Sequence, residues 1–207
     1  MTSTARVRLS PAERRTQLLD LGVRLLATRS LDELSIDVLA EEAGISRGLL
    51  YHYFGNKQDF HEAVVRHAAD DLIRTTAPPP HRDPLVRLGT SLAGYVDYVL
   101  ANFAGYVSLV RGAASGNETV RAIYDEVRAA LTDRFFAAEA GAPELLPDTP
   151  TLRLLLRGWQ AMAEEMVIAW VEHPGDLTRE DLLELIGSTL VGVVEKAGLE
   201  LPIVTPS

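Results

Sequence analysis

Between residues 35 and 57, two patterns typical of short helices follow each other directly in the sequence. This pair is the feature that most constrains the fold. Ser35 can cap the first helix, and Gly44 suits the left-handed conformation in which such a helix ends. Ser46 can cap the second helix, which begins at Arg47. Two short helices joined by a Gly-containing turn predict a helix-turn-helix, whose second helix enters the major groove of DNA.

The second helix carries side chains suited to contacts with DNA. Arg47 offers a fork to guanine or a charge to phosphate, Gly48 allows close approach of the backbone, and Leu49 can touch a thymine methyl group. Tyrosine, histidine and lysine side chains can donate to phosphate. The candidate DNA-binding residues are Ser35, Ser46, Arg47, Gly48, Leu49, Tyr51, His52, Tyr53 and Lys57. The alternative is that Tyr51, Tyr53 and Phe54 only fill a small helical core. We expect core packing for Leu50, Phe54 and part of Tyr53, and DNA contact for Tyr51.

The same stretch resembles a known signature. Ala43-Gly44-Ile45-Ser46, then Gly48, Leu50-Tyr51-His52-Tyr53-Phe54 and Lys57, are similar to the DNA-binding signature of TetR-type transcriptional regulators. The close match covers about residues 12–60, and the rest is similar only in helical layout. Three positions depart from the pattern: Ser30 replaces the usual Gly, Leu49 replaces Thr, Ser or Ala, and Phe60 replaces Leu. Leu49 matters most, because it puts an apolar group where a base contact is expected.

The resemblance implies a function that the residues alone do not reach. It implies a ligand-responsive regulator, most often a repressor, that binds a palindromic operator in double-stranded DNA. It also implies a homodimer joined by the last two helices and a small-molecule pocket in the larger C-terminal part of each subunit, residues 77–207, called the body below. The N-terminal DNA-binding part of each subunit is called the head below. A ligand in the pocket is expected to move the two heads of the dimer out of register with the major grooves of DNA.

The helical periodicity extends along the whole chain and predicts an all-α protein of about nine helices. Pro78-Pro79-Pro80 is the clearest break, since consecutive prolines cannot continue a helix. We therefore expect a three-helix DNA-binding domain over residues 1–56, with a flexible arm at 1–9. A connecting helix is expected over residues 57–76, and a larger ligand-binding and dimerisation domain over residues 77–207.

Two helix patterns near the end of the chain predict the dimer interface. Leu152–Val171 is apolar nearly all round, and Thr178–Ala197 carries one continuous apolar stripe. A helix that is apolar all round must be covered on more than one side, which a four-helix interface between two subunits would achieve. The alternative is that both apolar surfaces are used within one subunit.

Aromatic residues, methionines and one arginine in the body are candidates for lining an effector pocket. They are Tyr95, Tyr98, Phe103, Tyr106, Tyr124, Arg128, Trp159, Met162 and Met166. Such a lining favours a mostly apolar ligand held by a few polar groups, and Arg111 or Arg128, if turned inward, would favour a ligand with an acidic group. For each residue taken singly, ordinary core packing is the alternative.

The net charge of the chain neither supports nor excludes the DNA-binding interpretation. The net charge is −9, but residues 1–76 carry ten basic and eleven acidic residues, while the rest carries ten and eighteen. The acidity therefore belongs to the body, and the head can present a basic face. Cysteine is absent, which excludes disulfides and thiolate metal sites. The chain has no membrane-spanning apolar run and no signal-peptide core, so we expect a cytoplasmic protein without a membrane partner.

Motifs for catalysis, cofactors or metals are not found. The sequence has no Walker loop, dinucleotide fingerprint, Gly-x-Ser-x-Gly elbow or His-Glu-x-x-His, so we expect neither an enzyme nor a cofactor. His67, Asp70 and Asp71 share one helix face, but a solvated cluster is a better interpretation than a metal site. A helical small-molecule-binding or adaptor protein without control of DNA is the alternative function; it would not explain the head motif.

Overall fold

The structure, a computed structural model, describes residues 10–81, 83–137 and 146–199, with only the backbone of Pro84. These residues form nine α-helices and no strand, which confirms the predicted all-α fold. The helices are α1 Pro11–Leu25, α2 Ile36–Ala43, α3 Arg47–Phe54, α4 Lys57–Thr75, α5 Pro84–Ala101, α6 Phe103–Ala114, α7 Glu118–Asp133, α8 Pro150–Glu172 and α9 Arg179–Lys196. The predicted arm at residues 1–9 lies outside the described residues.

The described chain separates into two compact units. The first runs up to Ala68 and also includes Asn102–Val120, and the second comprises Ala69–Ala101 and continues from Arg121. The units follow packing within the chain, so the functional boundaries predicted at residues 56 and 76 stay a prediction.

The first unit has a small helical core built from one face of each of its helices. Leu18, Leu39, Leu50, Phe60 and Val64 are at most 2% exposed. The rings of Phe54 and Phe60 meet edge to face with their centroids 5.2 Å apart. The first helix begins with a capping box, in which Ser10 accepts from the Glu13 N–H and Glu13 accepts from the Ser10 N–H. Leu50 and Phe54, which the sequence predicted to lie in the core, are confirmed as buried.

Helix α6 belongs to the first unit, although its residues were predicted to lie in the body. The Gly105 N–H donates to the Leu26 carbonyl oxygen across 2.7 Å, and the Leu31 N–H donates to the Ser108 hydroxyl across 3.0 Å. Leu26 and Leu31 lie between α1 and α2, where backbone groups outside a helix need partners. The contact therefore fixes the segment that leads into the helix-turn-helix.

The second unit is built around α5, α8 and α9, which pack against one another. One face of α8 and one face of α9 are buried, with Leu156, Val167, Ile186 and Leu190 wholly inside. Trp159 links the two helices, because its indole N–H lies 3.2 Å from both the Ile186 carbonyl oxygen and the Thr189 hydroxyl. Much of both predicted stripes is therefore used within the subunit.

The C-terminal end of α4 is held by side chains of the second unit. Thr76 follows the helix and is 1% exposed. Arg134 donates to the Thr76 carbonyl and hydroxyl oxygens, each across 2.8 Å, and also to the Ile73 carbonyl. Ser91 donates to the same Thr76 carbonyl across 2.7 Å. A guanidinium at this end satisfies carbonyl groups that the helix itself leaves unpaired and suits the negative end of its dipole.

Candidate DNA-binding surface

The turn between α2 and α3 has the geometry that the sequence predicts. Gly44 adopts φ 63°, in the left-handed region that glycine reaches without strain. The Ser35 hydroxyl accepts from the Val38 N–H and the Ser46 hydroxyl accepts from the Leu49 N–H, so both predicted serine caps are present. Each serine keeps its O–H hydrogen, which can still be donated to a phosphate oxygen.

The N-terminal turn of α3 projects three exposed residues in succession. The Arg47 side chain is 68% exposed, Leu49 is 37% exposed, and Gly48 lies between them with open space around its Cα. Leu50 and Phe54, on the opposite face of the helix, are buried and hold α3 against the core. The helix thus presents an arginine, a bare backbone segment and an apolar group at the end that enters the groove in helix-turn-helix proteins.

The remaining candidates lie further along α3 and at the start of α4. Tyr51 is 49% exposed, His52 is exposed and Tyr53 is half-buried. The rings of His52 and Tyr53 meet edge to face at 5.7 Å. Lys57 is exposed in the first turn of α4, and Asn56 caps that helix by accepting from the Asp59 N–H across 2.9 Å. Polar groups near this helix N-terminus are well placed to meet phosphate oxygens.

An ion pair that the sequence analysis missed joins α2 to α3. The Nε atom of Arg47 lies 2.5 Å from Oδ1 of Asp37, and both side chains are more than half exposed. From the sequence alone, Asp37 is an ordinary acidic residue in the first turn of α2, where its charge complements the helix dipole. Only the packing of α3 beside α2 brings the two groups together, so no spacing rule within a single helix could have found the pair.

Ser30, where the resembled family usually has glycine, also has a structural role. Glu33 accepts from the Ser30 backbone N–H across 2.8 Å and from its hydroxyl across 3.0 Å. These two hydrogen bonds lower the pKa of Glu33, the backbone bond having the larger effect. The departure from the family pattern therefore stabilises the turn before α2 and does not disrupt it.

The nine candidate effector residues belong to both compact units. Phe103 and Tyr106 lie on α6 in the first unit, and the other seven lie in the second. Tyr98 and Trp159 are buried, Met162 is 36% exposed, and the remaining four are half-buried: Tyr95, Tyr124, Arg128 and Met166. Burial, followed by the negative charge of Asp71, raises the pKa of Tyr98.

Tyr124 and Arg128 are two candidates that do meet. The Tyr124 hydroxyl donates to Glu164 and accepts from Nη1 of Arg128, each across 2.7 Å. Nη2 of Arg128 donates to the Arg157 carbonyl across 2.6 Å. Nε of Arg128 is buried and has no hydrogen-bond partner among the described residues. Burial, and then the bond to Glu164, raises the pKa of Tyr124.

A small cavity of about 30 Å³ lies in the second unit, beside the end of α4. Arg87, Ser91, Arg134 and Phe135 line it, and none of the nine candidates does. A ligand site measures roughly 300–1,000 Å³, so this cavity has room for water but not for an effector. The nine effector residues stay a prediction.

His67, which the sequence analysis considered as a metal ligand, pairs with a carboxylate of another helix. Nε2 of His67 lies 2.7 Å from Oδ1 of Asp20 on α1, so it pairs across helices and not with Asp70 or Asp71. Within residues 10–81, 83–137 and 146–199, no three His, Asp or Glu side chains are grouped to hold a metal ion. No helix in those ranges is both long and apolar enough to cross a membrane.

Comparison with known proteins gives matches over both parts of the chain. Residues 18–64 match the family described as bacterial regulatory proteins, tetR family, and residues 84–193 match the tetracyclin repressor-like C-terminal domain. The chain is 34% identical over 87 residues to the transcriptional regulator BetI of Burkholderia ambifaria, covering 41% of this chain and 45% of BetI. It is 41% identical over 59 residues to the transcriptional repressor KstR2 of Rhodococcus jostii, covering 28% of this chain and 29% of KstR2. The chain therefore spans less than half the length of these curated relatives.

Solved structures extend the similarity to nearly the whole chain. A tetR-family transcriptional regulator from Streptomyces coelicolor is 30% identical with a TM-score of 0.77, covering 92% of this chain and 84% of that one. A second, from a Rhodococcus species, has a TM-score of 0.71 at 22% identity and covers 88% and 98% of the two chains. At that identity the second match supports the fold alone. These relatives are named as transcriptional regulators and not as enzymes, in agreement with the sequence-based prediction.

Proposed function

This chain belongs to the TetR family of bacterial transcriptional regulators, and from that premise we propose that it is a repressor released from its operator by a small molecule. It is a DNA-binding regulator with a helix-turn-helix head, and the proposal adds the direction of control, a two-fold symmetric operator and an effector. The observation that carries it is the exposed N-terminal turn of α3 above a fully buried inner face. KstR2, a relative that matches over the head, is named a repressor, which supports the same direction of control.

The proposed contacts divide into base reading and phosphate binding. Arg47, Gly48 and Leu49 meet base edges, and Ser35, Ser46, Tyr51, His52, Tyr53 and Lys57 hold the backbone. One head offers few contacts, so tight binding requires two heads on two half-sites about 34–36 Å apart, one helical turn of DNA. A dimer with two-fold symmetry would then select a palindrome.

The proposed dimer uses the outer faces of α8 and α9. Apolar side chains remain exposed there, with Leu154 at 72% and Leu185 at 46%. Gly158 and Gly187 have open space around their Cα atoms, which would let a partner helix approach closely. Because the inner faces are already used within the subunit, only these outer faces are available to a second copy.

The proposed effector is largely apolar and binds in the body of the protein. The aromatic and methionine candidates favour apolar contacts, and Arg128 keeps one buried donor that an acidic group could satisfy. Helix α4 runs without a break from Lys57 to Thr75. A ligand that binds better to one setting of this helix shifts the population of head spacings. In this proposal the DNA-binding domain is residues 1–56, the connecting helix is 57–76 and the effector and dimer domain is 77–207.

Selection from a pool of random DNA duplexes tests the DNA part of the proposal. The expected result is enrichment of a palindrome, with much weaker binding when one half-site is scrambled. Transcription in vitro from a promoter that overlaps the selected sequence should fall when the protein is added. Failure to enrich any sequence would favour the alternative of a helical small-molecule-binding or adaptor protein.

The effector part needs its own experiment. Mass spectrometry of the purified protein under native conditions would identify a co-purifying small molecule. That molecule is then titrated into the protein with and without the selected duplex. Because coupling is reciprocal, the duplex should weaken its binding by the same factor by which the molecule weakens DNA binding. Equal dissociation constants in the two titrations would contradict control by this ligand.

A further inference from the structure

The ion pair between Asp37 and Arg47 lies on the surface proposed to meet DNA. Asp37 is in the first turn of α2, and Arg47 is the first residue of α3. Nε of Arg47 is 2.5 Å from Oδ1 of Asp37, while the side chains are 68% and 57% exposed. Exposed pairs of this kind contribute little to stability, so removing this contact should leave the fold intact.

A carboxylate at this position has an electrostatic cost for DNA binding. Phosphates repel it, and the start of α3 is where the proposed protein–DNA contacts are densest. Glu42, further along α2, shows that an exposed acid can also pair away from this turn, since it lies 3.4 Å from Nη2 of Arg29. Asp37 therefore places a negative charge beside Arg47, the one arginine of α3.

The atoms used in the pair leave the base-reading edge of Arg47 available. Nε is the guanidinium nitrogen that lies next to Asp37, and neither Nη group of Arg47 is hydrogen-bonded to that carboxylate, so both Nη groups keep their hydrogens for other acceptors. Two such N–H groups, held in one plane, match O6 and N7 of guanine. An arginine side chain loses much rotamer freedom when it is fixed, and a partner that orients it before binding reduces that loss on contact with DNA.

We propose that Asp37 is a positioning residue that orients Arg47 to read a guanine in each half-site of the operator. This inference rests on the proposed function, because it requires sequence-specific DNA binding. Asp37 then sharpens specificity in two ways. It stabilises the orientation of Arg47 that fits guanine, and its charge disfavours DNA that does not offer the guanine contact in return.

The test compares base preference in four proteins: the wild type, Asp37→Asn, Asp37→Glu and Glu42→Gln. Each is used in selection from a random duplex pool, and Arg47→Ala identifies the base pair that Arg47 reads. Competition between the selected duplex and one changed at that pair then measures discrimination. Asp37→Asn should lower discrimination at that pair by about tenfold, with the other positions unchanged. Binding to unselected DNA should become stronger, because a negative charge has been removed.

The remaining variants separate positioning from charge and from folding. Asp37→Glu should restore part of the discrimination, since it keeps the carboxylate. Glu42→Gln removes an equally charged residue from the same helix and should leave base preference unchanged. Asp37→Asn in an Arg47→Ala background should cause no further loss at that pair. Circular dichroism of each variant checks that the helices are retained.

Three outcomes would overturn the inference. Asp37→Asn could keep the full preference at the Arg47 pair, or it could weaken preference at all positions alike. It could also strengthen binding to selected and unselected DNA by the same factor, which would make the carboxylate a simple source of repulsion. If the wild type selects a palindrome, each of these results contradicts the proposed role of Asp37 and leaves the proposed function intact. If the wild type selects nothing, the proposed function fails as well.

Discussion

The amide nitrogen of Gly105 lies 2.7 Å from the carbonyl oxygen of Leu26. A Cβ atom at position 105 would lie 2.4 Å from Cβ of Leu26 and 2.9 Å from its carbonyl oxygen, closer than real contacts allow. Helix α6 can therefore approach the end of α1 only because residue 105 has no side chain. This close approach lets α6 share the compact unit of the helix-turn-helix.

Gly105→Ala is expected to destabilise the protein. The clash involves a Cβ atom and backbone, which cannot rotate away, so the free energy of unfolding should fall by about 1–3 kcal/mol, the usual cost of overpacking. Urea denaturation followed by circular dichroism measures it. Gly89→Ala is the matched control, since a Cβ at this position on α5 meets nothing within 4 Å. Equal stability of the two variants would show that the approach of α6 to Leu26 is looser than described.

Gly48→Ala is expected to separate DNA binding from stability. No atom lies within 4 Å of the added Cβ, and alanine is favoured over glycine inside a helix by up to about 1 kcal/mol. The variant should therefore be at least as stable as the wild type. Affinity for the selected duplex should nevertheless fall, because the methyl group separates the α3 backbone from DNA. Unchanged affinity in fluorescence anisotropy would rule out close approach at residue 48.

Arg47→Ala and Lys57→Ala should weaken DNA binding in different ways. If Arg47 reads a base, its loss should cost about 1–3 kcal/mol of discrimination at one base pair. Lys57 is proposed to meet phosphate, so its loss should weaken all sequences alike and reduce the slope of log affinity against log salt concentration by about one. Titrations at several salt concentrations, with selected and unselected duplexes, distinguish the two patterns. Identical salt and sequence profiles for the two variants would contradict this division of roles.

Leu154→Glu should dissociate the proposed dimer without unfolding the subunit. Leu154 is 72% exposed, so the charge is harmless in a monomer but is buried without a partner at an α8–α9 interface. Light scattering after size exclusion should show folded monomers at micromolar concentration. Leu156→Glu, two residues further along α8, changes a side chain that is 0% exposed and should unfold the protein. A fully dimeric Leu154→Glu variant would move the interface elsewhere.

Tyr98 should make stability depend on pH in the alkaline range. Burial, and then the charge of Asp71, raises its pKa above the ordinary 10.0, so the folded state holds the phenol proton more tightly than the unfolded state does. This contribution to stability is complete below the unfolded pKa and is lost as the pH rises above it. The urea midpoint should therefore fall between about pH 9 and pH 11, and fall less in Tyr98→Phe. The same slope in both proteins would mean that Tyr98 does not titrate differently on folding.

The helices and the family signature are local features, which is why the sequence predicted them. Ser35 and Ser46 cap their helices as expected, since a cap depends on residues within three positions along the chain. The apolar period likewise marks which face of a helix is buried. The predicted ends of helices were less accurate: α8 is Pro150–Glu172, where the sequence predicted Leu152–Val171. The last turn of a helix is set by competing contacts that periodicity does not describe.

Other features depended on residues far apart in the chain. Leu190 and Val194 belong to the apolar stripe of Thr178–Ala197 from which the sequence predicted the dimer interface. Both are wholly buried, because α8 and α9 pack on each other within one subunit. An apolar stripe shows that a face is covered, but not whether the covering helix belongs to the same chain. For the same reason the sequence did not predict the hydrogen bonds that join α6 to Leu26 and Leu31.

By itself, then, the sequence determined the all-α class, the helix-turn-helix and the family, all of which follow from short-range patterns of capping, period and turn residues. Tertiary structure alone decided that Gly105 would meet Leu26 and that Asp37 would hold Arg47. The stretch between Leu26 and Gly105 includes residues 69–101 of the second unit. Asp37 and Arg47 are separated by the rest of α2 and by the turn that follows it. The physical reason is that side chains on different helices meet only after packing fixes the distance and angle between those helices, and no pattern along a single helix encodes these quantities.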